Sequence, residues 1–157
     1  MASSHGRSGG RATEDRWAEF ADLILIISRE IQFRGYTAKE AVSLSPSEGI
    51  VMRYLHRNPG TTPGRVAHAS GLQRSNLSTV LGGLERKGVI ERRSSAADGR
   101  EIKIYPTPLG TSNYALVRNE WAELVSTAAA DATDLDPALA LLRKVAAGLV
   151  ELRHGDD

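Results

Sequence analysis

The sequence predicts a mainly helical chain carrying one β-hairpin, in the order α-α-α-α-β-β-α-α. Three observations predict it. Four pairs, Ser45-Pro46, Thr62-Pro63, Thr107-Pro108 and Asp136-Pro137, each put a capping residue ahead of proline at a first helical position. Apolar residues recur at 3- and 4-residue steps along the helical stretches. Only 89–93 and 101–105 read as strands, and the Asp98-Gly99 turn pair lies between them.

Taken in order, the polar, glycine-rich opening MASSHGRSGGRA has no apolar segment that a signal peptidase could use, so residues 1–13 are expected to be a disordered basic tail. A first helix over 14–33 follows, with Trp17, Phe20, Ile24, Ile27 and Ile31 forming an apolar seam that Leu23, Leu25 and Ile26 widen. Ser45 opens a second helix, and Glu48 completes a Ser-x-x-Glu capping box. Thr62-Pro63 opens a short third helix, and Ser70-Gly71-Leu72 is a turn in which glycine supplies the left-handed conformation. The fourth helix, over 73–87, spaces Leu77, Leu81 and Leu84 to face inward with Val80 beside them. After the hairpin, Thr107-Pro108 opens a helix to about residue 130. Asp136-Pro137 opens the last one, whose stripe is Leu135, Leu139, Leu142, Ala146 and Leu149.

This gives one domain over 14–157, with a central lobe at 46–106 between outer helices at 14–34 and 107–153. The outer helices are more apolar than a solitary subunit requires. Trp17, Phe20, Ile24, Ile27, Leu139, Leu142 and Leu149 are therefore expected to form a homodimer interface, the other reading being that the two helices pack on each other within one subunit.

Composition narrows the function. Apolar residues make up 41% and charged residues 25% of 157, ordinary values for a globular protein. No apolar run approaches the roughly 20 residues that span a bilayer, and a cytoplasmic location is expected. The chain has no cysteine, which removes disulfides, thiol redox sensing and thiolate metal sites. The net charge of +1 hides an asymmetry: 62–105 holds eight Lys/Arg against four Asp/Glu, while 106–157 holds four against eight. A basic middle is the footprint of phosphate contact, although chance clustering on a solvated face would look the same.

The middle carries the chemistry. A short helix, a tight turn and a longer helix make a helix-turn-helix. With the leucines inward, Arg74, Ser75, Asn76, Ser78 and Thr79 lie on the other faces. Short hydroxyls beside a basic residue suit a helix lowered into a major groove. A hairpin directly after it makes a winged helix, whose wing reaches the neighbouring backbone or minor groove. Arg100 stands at the tip, where the negative potential of a narrow minor groove would draw it, or is an ordinary exposed hairpin arginine. Asp98 either orients that guanidinium or is simply the turn residue before Gly99. Arg92 and Arg93, with Arg86 and Lys87, add charge within reach of phosphate, the other reading of each being a solvated side chain.

These residues resemble the MarR family of bacterial transcriptional regulators, over about 14–153. The likeness rests on Leu84-Glu85-Arg86-Lys87-Gly88 after the recognition helix, on Asp98-Gly99-Arg100 in the wing, and on Ile102 and Ile104 leading to Thr107 and Gly110 in register. It implies a cytoplasmic homodimer that binds double-stranded DNA at a pseudo-palindromic operator. The groove-facing positions would be Arg74, Ser75, Asn76, Ser78 and Thr79, and Arg100 would be the wing arginine. The family's commonest mode implies a repressor relieved by a small, often aromatic or phenolic effector in a cleft between the dimer helices and the DNA-reading lobe; no motif names that effector or its residues. Trp17 and Phe20 lining such a cleft is a second reading beside their dimer role.

Two positions depart from the family pattern. Gly82-Gly83 replaces polar residues inside the recognition helix, at a cost of roughly 0.5–1 kcal/mol each, and suggests a bend, a close backbone approach or a weaker DNA binder. Pro106 replaces leucine and should end its strand early.

Catalysis is not expected. His5, His56, His68 and His154 are scattered, no acidic or nucleophilic partner stands at a site-forming spacing, and there is no phosphate-cradling loop. His56 and His68 read as surface or satisfied core residues, and no cofactor or metal is implied. The alternative function is a winged helix that contacts a protein and does not bind DNA specifically.

Overall fold

The computed structural model describes residues 7–34, 40–94 and 101–155. They hold six helices and one two-stranded antiparallel sheet, in the expected order. The chain divides between residues 39 and 40 into two compact units.

The first unit holds one helix, α1 (Arg7–Arg34). It starts at Arg7 and not at Glu14, so helix reaches into the stretch expected to be a disordered tail. Composition hid this, because Gly9-Gly10 disfavours helix while the residues after it favour it. Along α1, Phe20 and Ile24 are half-buried and Trp17 and Ile27 are exposed. Trp17 and Phe20 meet edge to face with centroids 5.7 Å apart.

The second unit begins with α2 (Pro46–Arg57), α3 (Pro63–Ser70) and α4 (Arg74–Arg86). The α2 capping box is complete in both directions: Glu48 N donates to Ser45 Oγ and Ser45 N donates to the Glu48 carboxylate. Thr62 caps α3, and Gly71 ends it in the left-handed region at φ 68°. Val51, Met52 and Leu55 of α2, Val66 of α3, and Leu77, Leu81 and Leu84 of α4 form one buried cluster.

The strands β1 (Ile90–Ser94) and β2 (Ile102–Pro106) pair antiparallel, with Ile90 opposite Pro106 and Arg92 opposite Ile104. Val89, Ile90 and Ile104 close the core beneath them. Gly60 N donates to Ile104 O and Ile104 N to Thr61 O, both at 2.9 Å, so the chain ahead of α3 serves as a stub of a third strand.

Pro106 does not shorten β2. The ladder bond there runs from Thr107 N to Val89 O (3.1 Å). Ile90 and Pro106 are thus a non-hydrogen-bonded pair, in which proline's missing donor is not needed.

Helix α5 (Pro108–Ala129) starts at the expected Thr107 cap. Asn113, buried on α5, accepts from Val42 N (2.7 Å) and donates to Val42 O (3.3 Å), which fixes the segment ahead of α2. The last helix, α6 (Leu135–Gly155), begins before its expected Asp136 cap. Ala138 N donates to Asp134 O, so Pro137 lies in the first turn, where a backbone donor has no helical partner in any case.

Candidate nucleic-acid interface

Helix α4 is held from one side. Leu77, Leu81 and Leu84 are at most 3% exposed and face the core. Arg74, Ser75, Asn76, Ser78 and Thr79 are all exposed on its remaining surface. Gln73, at the N-cap, makes no side-chain capping bond, so the N–H groups of the first turn stay open to a ligand at the positive end of the helix. In this state the Thr79 hydroxyl donates back to Ser75 O at 3.4 Å.

The turn into α4 is tied to the end of the chain. Arg153 of α6 donates through Nη2 to His68 O (3.1 Å) and Ala69 O (3.2 Å), the last carbonyls of α3. A cation there suits the negative end of that helix. Its guanidinium also covers Gly71, where an added Cβ would lie 2.5 Å from Nη1.

At the base of the hairpin Arg92 and Arg93 lie on opposite faces, as successive strand residues must, and Arg92 is the one that meets α4. Arg92 Nε lies 3.3 Å from the Glu85 carboxylate, and Arg93 pairs with Glu91 while stacking 4.6 Å from the centroid of Tyr105. Both arginines were expected to be phosphate-facing charges. Each is paired with a carboxylate. Lys87 departs further: its ammonium points inward to Glu48 Oε2 (2.6 Å) and Ser43 O (2.8 Å) and does not face the exposed row. Asp98 and Arg100 lie outside the described residues.

Between α3, α4 and β1 is a hollow of about 320 Å³. Arg74, Ser78 and Arg92 stand on its walls, with Pro63, Gly64 and the edges of Leu77 and Leu81 around them. The arrangement offers two guanidinium groups and a hydroxyl over an apolar floor, suited to phosphate oxygens and base edges.

Glu85, Glu91 and Tyr105 are the contributors that residue spacing did not single out. Glu91 stands two residues before Arg93 on one strand face, a signal that was available. The pairing of Glu85 with Arg92 needed the fold.

Of the residues expected at a dimer interface, Leu139 is half-buried while Trp17, Leu142 and Leu149 are 53%, 40% and 62% exposed. His56, expected to be a surface or satisfied residue, stacks on Tyr114 with centroids 4.2 Å apart, and its buried Nδ1 has no hydrogen-bond partner. His5 and the side chain of His154 lie outside the described residues. Among the described residues no His, Asp and Glu group could hold a metal ion, and no helix is long and apolar enough to cross a membrane.

The family model described as MarR family matches residues 42–101, from the segment ahead of α2 to the residue before β2. Over these residues the chain is similar to the MarR family. A Thauera aromatica protein named for transcriptional regulation of the hcr operon is 32% identical over 88 residues, 52% of this chain and 52% of its own length. The chain thus spans about half the length of the curated relative it matches. The crystal structure of a MarR family transcription regulator is similar with a TM-score of 0.67 at 21% identity, over 93% of this chain and 95% of that one. A mutant of S. aureus MepR bound to an oligodeoxyribonucleotide is similar with a TM-score of 0.58 at 25% identity, over 83% of this chain and 97% of that one. The likeness in fold to these structures therefore extends beyond the matched residues.

Proposed function

We propose that the protein is a sequence-specific DNA-binding transcriptional regulator acting as a homodimer on a pseudo-palindromic operator. The observation that carries this is the exposed row from Arg74 to Thr79 on a helix anchored by three buried leucines, beside a hollow that Arg74, Ser78 and Arg92 share. Phosphate contacts from the arginines supply affinity, and the hydroxyl and amide side chains read base edges. The DNA-bound MepR relative supports the same use of the fold.

The homodimer is supported by exposed apolar side chains on the outer helices, Leu25, Leu135, Leu149 and Leu152 among them at 62–69% exposure. A surface of that kind marks an association site. The regulator acts as a repressor released by a small aromatic or phenolic effector. Tyr114 stacked on His56, and Trp121 beneath Arg53 at 5.7 Å, give a cationic and aromatic surface between α2 and α5 that suits such a molecule.

DNase footprinting of the DNA upstream of the protein's own gene, combined with sedimentation of the complex, tests this reading. A protected inverted repeat carrying two chains supports it. A protein that protects no sequence and sediments with a protein partner supports the interaction-module reading in its place.

A further inference from the structure

The far end of α4 is gripped by a cluster set apart from the exposed row. Glu48, in the first turn of α2, keeps only 8% of its side chain exposed. Its Oε2 accepts from Ser45 N (2.7 Å) and from the Lys87 ammonium (2.6 Å). Lys87 caps α4 and donates also to Ser43 O at 2.8 Å. Beside them Gly83 leaves room for the carboxylate, for a Cβ there would lie 2.7 Å from Glu48 Oε1. The carbonyl that receives Lys87 is itself fixed, because the neighbouring Val42 is held at both backbone atoms by Asn113 of α5.

We propose that Glu48 is a positioning residue for DNA recognition: through Lys87, and across the space left by Gly83, it sets the rotation and axial position of α4 and thereby the discrimination between operator and other DNA. This rests on the DNA-binding reading. Leucine contacts fix how deeply α4 lies but are not directional. The Lys87–Glu48 bond is directional and sits at the end opposite the exposed row. A rotation of about 10° about the helix axis moves an outer side-chain atom by roughly 1 Å, given a helix diameter of about 10–12 Å. Base-edge hydrogen bonds hold over a range of only about 0.5 Å, so such a rotation breaks them. Phosphate attraction falls off slowly with distance and survives it. Loss of the grip therefore lowers specificity and leaves general DNA affinity in place. It also gives a role to glycine inside a recognition helix, and it removes Lys87 from the set of phosphate contacts.

The test uses the full-length protein and its Glu48→Gln, Lys87→Met and doubly substituted variants. Their affinities are compared for a duplex chosen by in vitro selection from random-sequence DNA and for a scrambled duplex of equal composition, across a salt series. Each single variant is expected to lower the selected-to-scrambled affinity ratio about tenfold, the size of one lost base contact. The salt slope should stay unchanged, and the double variant should be no worse than either single one. Circular dichroism establishes that each variant is folded, and Gly83→Ala, which keeps both charges but crowds the carboxylate, gives the same readout should one of them fail to fold. A folded set that keeps the wild-type ratio overturns the inference. So does a Lys87→Met variant that loses affinity equally for both duplexes with a salt slope shallower by about 0.9, since Lys87 would then be a phosphate contact. Wild-type protein that holds both duplexes alike overturns the DNA-binding reading and this inference together.

Discussion

Gly110 lies against the backbone of Val89 so closely that a Cβ on it would stand 2.0 Å from the Val89 carbonyl oxygen. The same junction is closed by Thr107, whose hydroxyl donates to Gly88 O (2.6 Å) and accepts from Gly110 N (3.0 Å). Wing and α5 thus meet through a threonine that bridges and a glycine that allows contact. Gly110→Ala should cost about 1–3 kcal/mol or more, because the neighbour is backbone and cannot turn aside. Urea unfolding measures it, and a cost within 0.5 kcal/mol of zero would show that the junction yields.

Leu81 carries the orientation of α4. It is 2% exposed and packs between Leu77 and Leu84, so Leu81→Asp should leave the lobe unfolded, whereas Leu81→Ala should cost about 2–5 kcal/mol. A folded Leu81→Asp protein by circular dichroism would mean that the helix faces are assigned wrongly.

The exposed row makes two separable predictions. Replacing Ser78 or Asn76 by alanine should change which sequences are preferred more than total affinity, and in vitro selection with each variant reads this out. Arg92→Ala should weaken binding to all sequences alike and flatten the salt slope by about 0.9. Arg100→Ala should weaken operator binding without unfolding the protein. Wild-type operator affinity in Arg100→Ala would remove the wing tip from the interface.

Burial alone would raise the Glu48 pKa, but the Lys87 ammonium and the Ser45 donors outweigh it and hold the carboxyl below the usual 4.5. A depressed folded value adds stability above the unfolded pKa, and that stability is lost as pH falls through the folded one. The stability difference between wild type and Glu48→Gln should therefore be full well above pH 4.5 and shrink as the pH falls through and below it. Thermal unfolding across that range checks the sign, and a difference that grows on acidification would contradict it.

What the sequence made legible was local. Ser45 with Glu48, Thr62 and Thr107 announce their helices because a cap and its donor lie within one turn, and Gly71 does so through its own backbone. The i, i+4, i+7 spacing of Leu77, Leu81 and Leu84 was enough to divide α4 into a buried and an exposed side. The roles of Lys87 and Gly83 were hidden, since their partner Glu48 lies on another helix. In Arg92 and Arg93 the charge was legible but its carboxylate neighbours were not. The starts of α1 and α6 shifted because glycine and proline are weaker stops in a first turn than inside a helix.

The central claim, that this helix and hairpin read DNA sequence, is met most directly by fluorescence anisotropy. DNA from upstream of the protein's own gene would be compared with scrambled DNA of equal length at several salt concentrations. Tight, salt-sensitive binding that prefers the native sequence is the expected result. Weak binding, equal for both and indifferent to salt, would contradict it.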